Sequence, residues 1–245
     1  MLSLEIVFEP KCFPSSDEVW DLLVESKIEL HEKKVIDEFT GNAFLFKDYS
    51  KFLKKIGSEY FSVKLDNGHI HYSGVGSKGV RLSRLDIENI VVDENDASSW
   101  LHIVLRQTSF VQARLFNQNY DFWQNATAVS QYESAGKSIV SLPMISNGLP
   151  FPLEEKIVDK SSNPGRKYLN IGYIESVGSV MWLGRPFWGY ADTVKCLVEK
   201  QNDWLEIEEI SDKVLKIKAA SEPFSSHLGV QGELQNRLRA LLFRK

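Results

Sequence analysis

The chain has 245 residues, of which 43% are hydrophobic and 25% are charged, and its formal net charge is −4. This acidic balance excludes the clustered basic surface with which proteins bind nucleic acid, and two cysteines, Cys12 and Cys196, are too few for a disulfide framework. No stretch of the sequence is long and apolar enough to span a membrane.

The chain opens with an alternating apolar run, Leu2–Glu9, which predicts a strand that ends at Pro10. Glu5 and Glu9 interrupt this run and no basic segment precedes it, so it lacks the pattern of a signal peptide. Two cysteines indicate reduced thiols, and no targeting segment is recognised. We therefore expect a cytoplasmic protein.

Two helices are predicted next from their end signals. Ser15 and Glu18 have the spacing of a capping box at the start of the first helix. Asp48–Ile56 predicts the second helix, with Asp48 as its cap and Gly57 as its stop.

The clearest local signal is a β-hairpin. Tyr60–Leu65 and His69–Tyr72 flank Asp66-Asn67-Gly68, a sequence typical of tight glycine turns. Beyond it, Val80–Val92 mixes the helical and strand periods, so its type stays open.

The remaining elements follow from periodicity and from glycine or proline breaks. Between residues 100 and 152 we predict strands at Trp100–Leu105, Phe110–Phe116 and Ser138–Ile145, a helix at Asp121–Tyr132 and a loop at Ser146–Pro152. Lys167–Tyr190, rich in apolar and aromatic residues, predicts two strands around Val177-Gly178-Ser179. A short helix, a second hairpin and a leucine-rich helix are predicted at Ala191–Glu199, at Trp204–Ile210 with Val214–Ala219, and at Gly232–Phe243.

This mixture of hairpins and isolated helices, without regular βαβ alternation, predicts an α+β fold with a mostly antiparallel sheet flanked by several helices. We interpret residues 1–245 as a single α+β domain. The polar connector Asp93–Ala97 marks the place where the chain would divide if it formed two domains.

Residues 74–79, GVGSKG, match the G-x-G-x-x-G pattern of dinucleotide-binding folds. In those folds the motif follows a buried parallel strand and opens a helix. Here it follows a strand of a half-solvated hairpin, so we interpret residues 74–79 as a flexible loop.

His69 and His71 are two residues apart on a predicted strand, so both rings face the same side and could share a metal ion. A zinc site needs a third and usually a fourth ligand, and the other three histidines lie in unrelated contexts. We interpret His69 and His71 as surface residues beside a turn, with a metal pair as the alternative.

Signals for catalysis are missing. The sequence has no G-x-S-x-G elbow, and neither cysteine lies at a glycine-flanked turn. The neighbouring acids Glu154-Glu155 and Glu208-Glu209 point apart within regular structure. We assign no catalytic residue and expect no cofactor.

The best functional lead is a cluster of large side chains near the end of Lys167–Tyr190: Trp182, Arg185, Phe187, Trp188 and Tyr190. Trp, Tyr and Arg are enriched at binding hot spots, although large aromatic residues are also typical of cores. Because two glycines and a proline interrupt the cluster, we expect a surface loop. The following hairpin adds an acidic patch that would complement a basic partner: Glu206, Glu208 and Glu209.

The run GYIESVGSVMWLGRPFW, at residues 172–188, resembles segments of cytoplasmic immunity proteins of bacterial polymorphic toxin systems. Several of those families are acidic α+β proteins of about this size, with a strand followed by a tryptophan-bearing loop. The resemblance covers the last third of the chain. It implies a non-enzymatic inhibitor that binds one toxin domain and occludes its active site, without catalytic residues.

The leading hypothesis is therefore a protein that neutralises a cognate protein partner, a secreted toxin domain, through the aromatic cluster. One alternative is a small-molecule enzyme, hydrolytic or nucleotide-using, built around His69, His71 and the 74–79 glycine segment. A second alternative is a structural or assembly subunit that associates through the same aromatic loop. The sequence identifies neither the partner nor the oligomeric state.

Overall fold

The alternating run at the start of the chain forms a strand, β1 (Leu2–Phe8), in the middle of an antiparallel sheet that has ten strands among the described residues. The structure, a computed structural model, describes residues 1–9, 15–77 and 80–243, with the backbone alone at 75–77, 80 and 81. A large antiparallel sheet flanked by helices confirms the predicted α+β class.

Within the described residues, the other strands are β2 (Lys34–Asp37), β3 (Ala43–Leu45), β4 (Phe61–Leu65), β5 (Gly68–Ser77), β6 (Val80–Glu88), β7 (Phe110–Asn117), β8 (Met144–Ser146), β9 (Lys156–Val158), β10 (Tyr168–Leu169), β11 (Ile174–Glu175), β12 (Val180–Gly184), β13 (Glu206–Ser211) and β14 (Val214–Lys218). The helices are α1 (Ser16–Ser26), α2 (Tyr49–Ile56), α3 (Glu94–Leu101), α4 (Gln118–Asn125), α5 (Val129–Ser134), α6 (Arg185–Tyr190), α7 (Lys195–Glu199) and α8 (Gly229–Leu242). The main sheet has the order β13-β14-β12-β7-β1-β6-β5-β4-β2-β3, and β8-β9 and β10-β11 form two small separate pairs.

Side chains of β1 alternate between two differently covered faces of the sheet. Leu4, Ile6 and Phe8 lie in a core with residues of α1, α2 and α3, and we call this side the α1 face. Val7 lies in a second core with residues of α6, α7 and α8, on what we call the α8 face. The sheet is therefore buried by different helices on its two faces, and β1 contributes to both cores.

Local end signals predicted several elements correctly. Ser15 caps α1, and its capping box with Glu18 is formed in both directions. Gly57 ends α2 in the left-handed region, with φ of 62°, where glycine avoids the steric cost of a Cβ atom. Asp48 precedes α2 as predicted, but its side chain makes no capping hydrogen bond.

Both predicted hairpins are present, formed by β4 with β5 and by β13 with β14. The segment of open type, Val80–Val92, contains strand β6, and the predicted leucine-rich helix is α8. Phe110–Phe116 corresponds to β7, whereas the helix predicted at Asp121–Tyr132 is divided into α4 and α5.

Two predicted strands are wrong. Trp100–Leu105 is not a strand, because Trp100 and Leu101 end helix α3, which begins where the Asp93 side chain accepts a hydrogen bond from the Asp96 amide. The polar connector Asp93–Ala97 thus forms the capped start of α3. Only the end of Ser138–Ile145 is extended, as part of β8.

The segment Lys167–Tyr190 contributes β12 to the interior of the main sheet, while β11 pairs separately with β10. Two glycines allow β12 to lie close to β7. A Cβ atom at Gly184 would lie 2.3 Å from the Phe110 carbonyl oxygen, and one at Gly178 would lie 2.6 Å from that of Leu115. Among the described residues, no helix has both the length and the apolar character needed to cross a membrane.

Candidate functional site

The predicted aromatic loop is instead a strand followed by a short helix, which begins at Arg185. Trp182 lies in the core of the α1 face and Phe187 in the core of the α8 face, and both side chains are buried. Large apolar side chains gain about 1.5–3 kcal/mol each on such burial, which accounts for their position. Trp182 and Phe187 therefore stabilise the fold and are inaccessible to a partner.

The other three residues of the cluster reach the surface to different extents. Arg185 is exposed, whereas Trp188 and Tyr190 are half-buried. The Tyr190 hydroxyl donates a hydrogen bond of 2.9 Å to Glu9 Oε1, and its ring covers Gly172, where an added Cβ would lie 2.6 Å from a ring carbon. Part of the predicted anchor is thus held in intramolecular contacts, and Arg185 is its most accessible member.

The three acids of the β13–β14 hairpin do not form one patch. The two at the start of β13, Glu206 and Glu208, lie opposite Lys218 and Lys216, and the Glu208 carboxylate is 3.2 Å from Lys216 Nζ. Glu209 instead approaches Lys195 of α7, at 2.9 Å. Because each acid has a lysine partner, the hairpin generates a weaker negative potential than the sequence suggested.

The two histidines share one side of β5, as predicted. His69 Nδ1 lies 3.1 Å from Glu38 Oε1, while burial and the charge of Arg84 lower the pKa of His71. Within the described part of the chain, no three His, Cys, Asp or Glu side chains are grouped as a metal site requires. The histidines are thus members of a partly solvated sheet face.

The glycine motif is not the loop expected from the sequence over its first four residues. Residues 74–77 extend β5 and pair antiparallel with β6, and residues 78–79 lie outside the described part of the chain. A dinucleotide site requires a parallel strand followed by a helix, which this hairpin does not provide. The cleft beside Gly74 is lined by Tyr72, Ser73 and Ser83 among others, but neither His69 nor His71 is among its described lining residues.

The connection between β8 and β9, predicted only as a loop, carries several exposed large apolar residues. The β8–β9 connection, residues 147–155, presents three large apolar side chains to solvent: Leu149, Phe151 and Leu153. Phe151 is 90% exposed. Groups of exposed apolar side chains of this kind are typical of interaction sites.

Hydrogen bonds within this connection give it a defined shape. The Asn147 side chain donates to the Leu153 carbonyl at 2.9 Å and accepts from the Leu149 amide at 3.0 Å. The Asn147 amide also donates to the Glu155 carbonyl, and the Leu153 amide donates to the Pro150 carbonyl, both at 2.9 Å. The apolar side chains are therefore displayed on an ordered scaffold. We call residues 147–155 the apolar hairpin loop.

The strongest electrostatic feature lies inside the protein. Arg114 of β7 is buried between two acids, with its Nε 2.7 Å from Glu5 Oε1 and its Nη1 2.7 Å from Asp121 Oδ1. Lys167 Nζ completes the group at 2.9 Å from Glu5 Oε2 and 3.5 Å from Asp121 Oδ2. We call these four residues the Glu5 network.

Burial opposes ionisation of Glu5, yet the charges of Arg114, Lys167 and Arg84 together hold the pKa of its carboxyl well below the usual range. The pKa of the neighbouring Asp86 is shifted in the opposite direction. Its ion pair with Arg84, at 2.7 Å, does not compensate for burial, which raises the pKa of Asp86 to about 7.

Sequence reasoning missed both the apolar hairpin loop and the Glu5 network. The loop has a sequence signal in its alternating leucine, phenylalanine and proline residues, LPFPL. The network has a weaker one, a single charged residue inside each of two buried strands, at Glu5 and Arg114.

No protein-family model and no curated protein matches the chain. Among solved structures, the chain is similar to the Pseudomonas aeruginosa T6SS protein PA0821, with a TM-score of 0.54 and 14% sequence identity. The match covers 100% of this chain and 73% of that one. At this level of identity the similarity concerns the fold.

Proposed function

We propose that the protein is a non-enzymatic inhibitor that binds a cognate protein, in the manner of an immunity protein that neutralises a T6SS-associated toxin. The observation that carries the proposal is the apolar hairpin loop, an ordered segment with three exposed large apolar side chains. The fold similarity to a T6SS protein and the resemblance of residues 172–188 to immunity proteins support the same class.

The loop has the properties of a binding element. Binding costs free energy when a flexible segment has to be ordered, and a segment already ordered by its own hydrogen bonds avoids much of that cost. Pro150 and Pro152 further restrict its backbone. Burying Phe151 and its neighbouring leucines against a partner would contribute about 1.5–3 kcal/mol per side chain.

The charges beside the loop indicate the chemistry of its partner. Glu154 and Glu155 are exposed, and neither forms a salt bridge with another described residue. An apolar tip flanked by unpaired acids fits an apolar groove with a basic rim. Arg185, Trp188 and the hairpin acids Glu206, Glu208 and Glu209 remain secondary candidates for contact.

The function is tested by co-expressing the chain with a candidate toxin effector taken from a neighbouring open reading frame. We expect the chain to restore growth of cells that produce the effector, and the purified proteins to form a complex in size-exclusion chromatography. Absence of both a complex and protection would overturn the inhibitor proposal.

The loop is tested with the double variant Phe151→Ser and Leu153→Ser. Its matched control is Val140→Ser, which removes a side chain that is 93% exposed but lies outside the loop. We expect the double variant to weaken the complex at least 100-fold, as hot-spot truncation does, and the control to leave it unchanged. If the double variant binds and protects like the parent chain, the inhibitor role stands but the loop is not its contact.

A further inference from the structure

A cleft of about 680 Å³ lies between α8 and residues 161–175. Its polar lining comes from both sides: Arg166, Tyr168, Asn170, Glu175, Asn236 and Arg239. Ala240 and Phe243 add an apolar wall. This size is typical of sites for small molecules.

Arg239 is fixed at the base of this cleft, with only 4% of its surface exposed. Its Nη1 donates to the Arg166 carbonyl oxygen at 2.8 Å, and its Nη2 donates to Glu175 Oε1. The guanidinium is thus held in one orientation by two partners, and its Nε is buried without a hydrogen-bond partner among the described residues.

The charges around the cleft do not balance. Glu175 is the one carboxylate in the described lining, whereas Arg166 and Arg239 each contribute a positive charge. The Arg166 guanidinium donates to the Asn163 carbonyl oxygen at 2.8 Å and forms no salt bridge with a described acid. Two guanidinium groups therefore share a single counter-charge.

This imbalance affects the titration of the groups themselves. Burial and the nearby charge of Arg166 lower the pKa of Arg239 to about 10, despite its contact with Glu175. Burial also lowers the pKa of Lys160, and the positive charges of Lys167 and Arg239 lower it further. Burial is the larger cause of both shifts, and the neighbouring positive charges act in the same direction.

We propose that the cleft between α8 and residues 161–175 binds a small organic anion through the guanidinium groups of Arg166 and Arg239. Arginine side chains recognise phosphate and carboxylate groups through paired, charge-assisted hydrogen bonds. Tyr168 and Asn170 supply further polar contacts, and Phe243 gives the ligand body an apolar surface. This site is independent of the proposed inhibitor function.

Isothermal titration calorimetry of the full chain distinguishes the sources of the anionic group. The probes are inorganic phosphate, AMP and citrate, with sodium chloride at matched ionic strength as the blank. We expect saturable binding of AMP or citrate at millimolar concentration or tighter. Saturation by inorganic phosphate as well would identify phosphate as the recognised group. No saturable binding of any probe up to about 10 mM, a very weak affinity, overturns the proposal.

Three variants connect binding to the cleft. Arg166→Gln removes one positive charge and keeps the main-chain carbonyl that Arg239 uses, so we expect at least tenfold weaker binding. Asn236→Asp introduces a carboxylate of the same shape at an exposed position of α8, and should abolish binding by repulsion. The control is Arg237→Gln, which removes an exposed arginine of the same helix that pairs with Asp203. Equal weakening in the control, or unchanged binding in both cleft variants, overturns the proposal.

Discussion

The Glu5 network and the arginine group at the α8 cleft differ in the balance between positive and negative charges. In the Glu5 network, two cations lie between two acids, and all four carboxylate oxygens of Glu5 and Asp121 face Arg114 or Lys167. At the α8 cleft, Glu175 pairs with Arg239, and Arg166 forms no salt bridge with a described acid. We call the first group closed because each of these carboxylate oxygens faces a cation, with Arg84, 3.9 Å from Glu5, linking it to Asp86. The second group borders an open cleft.

The difference shows that burial of a charge does not by itself indicate a function. A balanced network positions neighbouring strands and leaves nothing for a ligand to neutralise. An unbalanced group beside a cleft has both a charge that requires a partner and space to hold it. We therefore assign the Glu5 network to the fold and the Arg239 group to binding.

The largest expected effect comes from breaking the closed network. Arg114→Leu removes the cation between two buried acids, so we expect a loss of about 3–5 kcal/mol in the free energy of unfolding. Urea denaturation followed by circular dichroism measures it. Combining Arg114→Leu with Glu5→Gln should recover part of the loss, because the uncompensated charge is then removed. A loss below about 1 kcal/mol in the single variant would show that the network is dispensable.

An intermediate effect is expected at the open group. Glu175→Gln removes the acid that pairs with Arg239, and we expect a stability loss of about 1–3 kcal/mol. The same variant should bind AMP or citrate more tightly, because the carboxylate that competes with the ligand is gone. Denaturation and calorimetry on one preparation measure both changes. Weaker anion binding in this variant would contradict the assignment of the cleft.

The smallest effect is a pH dependence at Asp86, beside the closed network. Its pKa is raised to about 7 in the folded protein by burial, so its contribution to stability is present at low pH and is lost as the pH rises from about 4 to 7. Between pH 6 and pH 7 we expect Asp86 to lower the free energy of unfolding by about 1 kcal/mol. Asp86→Asn should remove this slope, whereas His71 contributes a slope of opposite sign in both proteins. Identical pH profiles for parent and variant would contradict the raised pKa.

Local chemistry explains which elements could be predicted from the sequence. Three of the predicted features depend on residues only a few positions apart, and all three are present. They are the capping box at Ser15, the helix stop at Gly57 and the β4–β5 hairpin. Trp100–Leu105 has the composition of a strand, but the cap at Asp93 and the packing of Trp100 against the α1-face core decide its helical end. Tertiary contacts outweighed the local pattern there.

The candidate sites depend on distant contacts, which explains why the sequence did not reveal them. Glu5 and Lys167 meet at 2.9 Å although they are 162 positions apart in the chain, and Glu175 meets Arg239 across 64 positions. Trp182 and Phe187 are buried because β12 lies inside the sheet, where Gly178 and Gly184 allow it to approach β7 closely. Periodicity within the segment does not show this packing. Exposure of Phe151 likewise follows from the short β8–β9 pairing, which leaves the loop beyond both cores.

The position of β1 has a consequence for how the protein assembles. Its two neighbours, β6 and β7, hydrogen-bond to β1 and not to each other, so the two halves of the sheet are joined by this seven-residue segment. Its partners Ser83 and Asn117 lie far along the chain, and closing such long loops slows folding. Residues 2–8 therefore hold the two halves of the sheet together. A chain lacking them would expose two unsatisfied strand edges, and a synthetic peptide of that sequence would be the natural reagent to restore the sheet in trans.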